Sequence, residues 1–222
     1  MHQHLALPIT RATARFMTLK NRTVNAWRIG KFEQLFRKTS LFNWSLASIP
    51  ASRLSHTVPD YWRGSANLGS QIITSSANWQ NDSRDFDKFE WVRDLRAFGG
   101  SQARSRARQL IESWIDSNKN WRAGSWQPDI MGQRVANLVF CYDWYASSAP
   151  ENFQSKLARV IARQARCLAL DWPRLCDQTA QLTALKGLFV GQSALCAKPD
   201  DLAALLDLVL PIVDRVILAD GG

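Results

Sequence analysis

The sequence predicts an all-α protein. Apolar residues recur at spacings of three and four over most of residues 83–222. Residues that start and stop helices fall between these runs. The runs are of similar length, about 15–20 residues, with short connections, so successive helices are expected to pack as antiparallel hairpins in a bundle, solenoid or toroid.

The elements follow in order. Residues 9–38 read as one long basic helix, with Phe16, Leu19, Thr23, Ala26, Trp27, Gly30 and Leu35 near helical spacing. From Thr39 to Asp82 the pattern dissolves among Pro50, Pro59, Gly64 and Gly69, which gives a long loop region with a short strand at Gln71–Thr74. Phe86, Phe89, Trp91, Val92, Leu95 and Phe98 then form one apolar helix face, closed by a left-handed cap at Gly99-Gly100. Ser101 is placed to cap the next helix, which buries Ala103, Ala107, Leu110, Ile111, Trp114 and Ile115. Pro128 suits the first position of a third helix, burying Met131, Val135, Leu138, Val139, Tyr142 and Tyr145. A fourth helix begins near Glu151, a fifth carries Leu182 to Leu195, and a sixth starts near Pro199 and is expected to kink or restart at Pro211. The organisation is therefore a basic helix and wrapping segment over 1–82, followed by a helical domain over 83–222.

The formal net charge is +9, unevenly placed: residues 1–60 hold nine basic and two acidic residues, leaving +7 there and +2 over the rest. A basic arm favours anionic partners such as acidic polysaccharide, nucleic acid or an anionic membrane surface. Cys141, Cys167, Cys176 and Cys196 show no CxxC spacing, which reads as reduced thiols in a reducing compartment. His2, His4 and His56 are the only histidines, so the helical body holds no His-based metal site and no Ser-His-Asp triad. No metal or cofactor is expected. The best apolar run, Leu202 to Leu218, is broken by Asp207, Pro211 and Asp214, short of the roughly 18 apolar residues of a membrane span. Without a compact apolar leader the chain is expected to be cytoplasmic.

Several pieces carry a family resemblance. They are Tyr61-Trp62-Arg63-Gly64 with Gly69; Trp91-Val92-Arg93-Asp94-Leu95-Arg96-Ala97-Phe98-Gly99-Gly100; Ala103-Arg104 with Ala107-Arg108; and Trp114 and Trp121. They continue with Trp126-Gln127-Pro128-Asp129, Arg134 with Asn137, Arg163-Gln164-Ala165-Arg166, Lys186-Gly187 and the terminal Asp220-Gly221-Gly222. In order and spacing these pieces resemble the N-terminal helical domain of the heparinase II/III-like family. The resemblance implies an incomplete (α/α) toroid, followed in the family by a β-sandwich that is expected to be missing here. It also implies β-elimination on uronic-acid polysaccharide, in which Asn or His neutralises the carboxylate and Tyr or His moves the protons.

On that reading Arg134, Asn137, Trp121, Trp126 and Gln181 are the candidate polysaccharide-binding residues, and Tyr142 and Tyr145 the candidate catalytic hydroxyls. Arg134 and Asn137 share a helix face one turn apart; their alternative role is a capping and interhelix pair. The tyrosines fall on an apolar face, where core packing is the alternative. Arg159, Arg163 and Arg166 form a basic stripe. The family's Asn-His pair is replaced by Ala180-Gln181, so the chain is expected to be inactive by itself. The second reading is a non-catalytic helical scaffold, or a module binding polyanions or nucleic acid, with nucleic acid less favoured.

Overall fold

The computed structural model describes residues 29–46, 54, 58–74, 83–195 and 199–219. The described residues are helical, in eleven α-helices and one 3-10 turn, with no strand among them. The helices are α1 (Lys31–Arg37), α2 (Ser40–Leu46), α3 (Ala66–Thr74), α4 (Ser83–Lys88), α5 (Trp91–Phe98), α6 (Gly100–Ser117), α7 (Pro128–Phe140), α8 (Tyr142–Ala146), α9 (Glu151–Asp171), α10 (Gln178–Ala194) and α11 (Pro199–Ala219). The 3-10 turn Trp172–Arg174 joins α9 to α10.

Several expectations are corrected. The expected long loop over residues 39–82 holds two helices, α2 and α3. Gln71–Thr74 lies in α3, not in a strand: its β-branched residues sit on a helix whose buried positions, Gly69 and Ile72, are three apart. The long basic helix does not run through to residue 38 as one element. Gly30 is extended (φ −59°, ψ 155°) and α1 begins after it; residues 9–28 lie outside the described residues. The apolar face of residues 86–98 belongs to two helices, because Phe89 takes φ 64° and breaks the chain direction between α4 and α5. Tyr142 and Tyr145 sit in a separate short helix, α8, after Cys141 ends α7.

Gly99, at φ 79°, closes α5 by donating its N–H to the Leu95 carbonyl at 2.9 Å, and α6 starts at Gly100 without a side-chain cap from Ser101. Two adjacent residues at positive φ make glycine the low-cost choice here. Pro128 opens α7, where its missing N–H costs nothing. Asp177 caps α10, accepting from the Ala180 N–H at 2.7 Å. The helix α11 continues through Pro211.

The core depends on a close pairing of α7 with α10. A Cβ on Gly132 would stand 2.3 Å from the Thr183 carbonyl oxygen, and one on Gly187 2.3 Å from that of Gly132. Three residues further along α7, Val135 meets Gly191. Both helices thus advance in the same direction along the contact, so they are parallel neighbours, with α9 returning between them in sequence. Their glycines let two backbones touch, which no hairpin reading of the sequence anticipates.

The first helices dock through charge. Arg37, 2% exposed, binds both carboxylate oxygens of Asp171 at the end of α9, and also Glu33. Burial alone would lower the Arg37 pKa, but Asp171 outweighs it and holds the cation above its ordinary range. Arg166 donates to the Ser45 and Leu46 carbonyls at the end of α2, and Arg163 donates to Asn43 and to the Lys119 carbonyl. A basic residue at a helix C-terminus is doubly favourable, through hydrogen bonds and the helix dipole. Two members of the basic stripe are therefore committed to α2, while Arg159 remains exposed beside Ser155.

Gly187→Ala should lower stability by about 1–3 kcal/mol, because backbone on both sides must give way. Gly124→Ala, with open space around it, should be close to neutral. Chemical denaturation of the two variants beside wild type checks the contrast.

Candidate functional site

Two constructions stand out, one buried and one exposed. The buried one is centred on Arg134, whose side chain is 0% exposed. Its guanidinium donates to the Asp87 carbonyl (2.8 Å), the Ser125 carbonyl (2.8 Å) and Gln164 Oε1 (3.0 Å), and lies 4.3 Å over the Trp114 ring. Those partners come from α4, the loop before α7, α9 and α6. Among the described residues no carboxylate hydrogen-bonds this cation; the Asp87 carboxylate instead accepts from the Trp114 indole at 2.6 Å. Burial pushes the Arg134 pKa down to about 9, with Asp87 opposing the shift, so the group is still a cation at neutral pH.

Asn137, one turn on, donates to the Lys88 carbonyl at 2.8 Å. Arg134 and Asn137 together satisfy two successive carbonyls at the end of α4, where the left-handed Phe89 interrupts the helical ladder. A non-glycine residue at positive φ costs of order 1–3 kcal/mol. Phe89 is held there by full burial and by ring contacts with Trp91 (5.0 Å) and Trp114 (5.2 Å).

The other candidates from the sequence are distributed as follows. Tyr145 is fully buried, its hydroxyl donates to the Leu138 carbonyl at 2.9 Å, and burial pushes its pKa well above the usual phenol range. Tyr142 packs edge-on against it with ring centres 6.2 Å apart. Trp121 and Trp126 are each 2% exposed, with Arg37 over the first ring and Arg163 4.9 Å over the second. Gln181, half-buried, donates to the Leu175 carbonyl in the loop before α10. Arg134 and Asn137 are brought together; the tyrosines, the tryptophans and Gln181 do not converge with them on one open cleft.

The exposed construction is built on Arg93, Asp94 and Arg96, whose place on a helix suits a structural pairing role in the sequence. Asp60, its side chain 1% exposed, accepts from Arg93 Nε (2.9 Å) and Arg96 Nη2 (3.0 Å) through one oxygen, and from the Trp62 N–H (3.1 Å) through the other. Arg96 also donates to the Trp62 and Phe140 carbonyls. Asp94 accepts from the Ser65 N–H at 2.7 Å, placing a carboxylate at the start of α3. Gly64 and Gly69 lie so close to the α5 backbone that a Cβ on either would stand 2.3 Å from it. Arg93, Asp94 and Arg96 are thus a clamp for residues 60–69. The clamp leaves Tyr61 88% and Trp62 76% exposed. The signal in the sequence was Asp60, a single acid 33 and 36 residues from two arginines.

Replacing Arg134 by Met should cost about 3 kcal/mol or more, since enclosed carbonyls lose their donors. Arg134→Lys should recover only part of this, because an ammonium lacks the planar fork. Urea denaturation of both variants measures the loss.

With the geometry set out, comparisons with known proteins bear on function. No family model matches the chain, and no solved structure matches it. The chain is similar to FtsZ-localized protein C of Caulobacter vibrioides, with 33% identity over 137 residues. The match covers 61% of this chain but 23% of that relative, so the chain spans less than a quarter of its length. That finding overturns the heparinase II/III-like assignment: the relative is named for localisation with FtsZ, and no family model supports a polysaccharide lyase. The lyase activity, the acidic polysaccharide partner and the missing β-sandwich fall with it. What stands is an all-helical chain similar over 137 residues to an FtsZ-localized protein.

Proposed function

We propose that the chain is a non-catalytic helical docking scaffold that acts, like its relative, where FtsZ is located. The observation that carries the reading is the outward display of Tyr61 and Trp62 on a segment fixed by Asp60, Arg93 and Arg96. Exposed aromatics on a pre-ordered backbone bind at low entropic cost, and tyrosine and tryptophan are the side chains that most often dominate protein interfaces. The polar residues expected to bind substrate, with the expected catalytic hydroxyl of Tyr145, support the same view. Arg134, Asn137, Tyr145 and Gln181 all donate to backbone or side-chain acceptors within the protein.

As the finer architecture, we favour a curved array of helical pairs, an incomplete (α/α) toroid, with the parallel α7 and α10 as its inner layer. The support is their direct backbone contact across an intervening α9. No helix among the described residues is long and apolar enough to cross a membrane, and a cytoplasmic site of action belongs to the same proposal.

The test is direct binding of the purified chain to immobilised FtsZ. Saturable binding is expected, weakened about tenfold or more by the double substitution Tyr61→Ala, Trp62→Ala. Circular dichroism should be unchanged, because both side chains are exposed. No saturable binding, or binding indifferent to the double substitution, would overturn the reading.

A further inference from the structure

Two further surfaces, on α1 and α11, are independent of the FtsZ reading. Each is an exposed apolar stripe flanked by charge of one sign. The inner side of α1 is anchored by the pair of Arg37 with Asp171, while Phe32 (87% exposed), Leu35 and Phe36 face outward. Phe36 meets Phe42 edge-on at 5.7 Å, which joins α1 to α2, and α2 in turn exposes Leu41 and Trp44 (74%). Scattered apolar side chains are normal on a surface, but five large ones between residues 32 and 44 are a concentration.

The exposed charge on α1 is basic. Lys31 and Lys38 stand seven residues apart, and Lys38, the C-cap, keeps helical backbone angles (φ −76°, ψ −14°). At about 100° per residue both fall on one line along the helix, with Leu35 beside them. The acid of this helix, Glu33, is already held by Arg37 and Arg174.

The helix α11 carries the opposite sign. It packs on α10 and buries Leu205 and Ile212. Leu206 and Leu210, one turn apart, face outward. Beside them run Asp200, Asp207 and Asp214, all exposed and again seven residues apart. Arg215 turns back to donate to the Pro211 carbonyl. Among the described residues none of these three aspartates, nor Lys31 or Lys38, forms an ion pair.

We propose that α11 of one copy docks on α1 of a second copy. Two turns, about 10 Å of helix, separate Lys31 from Lys38 and likewise Asp207 from Asp214. Laid side by side, the helices can therefore pair both charges at once, with Leu206 and Leu210 against Leu35 and Phe32. Both faces are exposed in the single chain, so they do not meet within one copy. Either face set against itself would oppose like charges, which disfavours a contact of α1 with α1 or of α11 with α11. Exposed ion pairs contribute little affinity; apolar burial supplies it, and the charges select the partner and the register. A contact between unlike faces joins copies in succession, closing into a ring where the rotation between them permits.

The experiment measures the mass of the full chain by sedimentation equilibrium, from micromolar to submillimolar concentration. Mass rising with concentration is expected. Two charge-reversed variants, Lys31→Glu with Lys38→Glu and Asp207→Lys with Asp214→Lys, should each associate about tenfold or more weakly. All four side chains are exposed, so both variants should fold, which circular dichroism checks. An equimolar mixture of the two should associate again, because every face then meets one of opposite sign. The Tyr61→Ala, Trp62→Ala variant should associate like wild type, which keeps this contact separate from FtsZ binding. A chain monomeric throughout, as it would be if residues 1–28 occupied α1, overturns the proposal. So does a loss confined to one charge-reversed variant, which indicates a face pairing with itself, or a mixture that stays dissociated, or a loss of association in the Tyr61→Ala, Trp62→Ala variant.

Discussion

The structure depends on one buried cation. Arg134 is removed from water entirely and, among the described residues, has no carboxylate to hydrogen-bond. Placing an unpaired charge in a protein interior is among the costliest acts in folding. It is tolerated here because three acceptors and an aromatic face replace the lost water, and each comes from a different part of the chain. The charge is thus stabilised only when α4, the loop before α7, α6 and α9 are all in place. A group with that requirement makes the interior cooperative, because losing any one partner raises the cost of the rest. It also explains how Phe89 holds a left-handed conformation in a buried site: the carbonyls released by the break are taken up by Arg134 and Asn137.

Around this centre, other contacts work by bringing backbones together. Gly132 and Gly187 join α7 to α10, and Gly64 and Gly69 seat residues 60–69 on α5. The second contact is locked by ion pairs from Arg93 and Arg96 to a single enclosed aspartate. A buried ion pair contributes little net stability compared with apolar packing, but it specifies one arrangement. Here the arrangement is the outward presentation of two aromatic side chains. On the proposed reading the link from sequence to function runs through that geometry: two arginines one turn apart on α5 reach one acid, and the turn held by that acid carries Tyr61 and Trp62.

Much of the helical body was legible in the sequence. The apolar spacing of Ala103 to Ile115 and of Phe153 to Leu168 marks α6 and α9, because each buries one stripe, while α7 is marked by its opening proline and is buried almost all round. The residues around 71–74 misled because Gln-Ile-Ile-Thr favours a strand when considered alone, whereas packing against α5 decides otherwise. The break at Phe89 carried no glycine or proline to announce it; its cause is a hydrogen-bond donor 45 residues away in the chain. The parallel meeting of α7 and α10 was also hidden, since periodicity identifies a buried face and not its partner. At the candidate site, the shared face of Arg134 and Asn137 was visible, but their targets are backbone carbonyls, which have no sequence signature. The run Trp91 to Gly100 resembles a family of lyases, yet its Arg93, Asp94 and Arg96 suit a structural pairing role on a helix. Its residues perform packing and clamping, so their presence speaks to how helices are held and not to a reaction.

The central claim is that Arg134 makes α4, the loop before α7 and α9 one cooperative unit. Native-state hydrogen exchange under increasing denaturant tests it most directly, because each slow amide reports the free energy of the opening that exposes it. The account predicts that the slow amides at the α4–α5 junction, near Ser125 and around Gln164 converge on one shared opening with the same denaturant dependence. Separate openings, with the Ser125 loop or the α4–α5 junction released at much lower free energy while α9 stays protected, would contradict it.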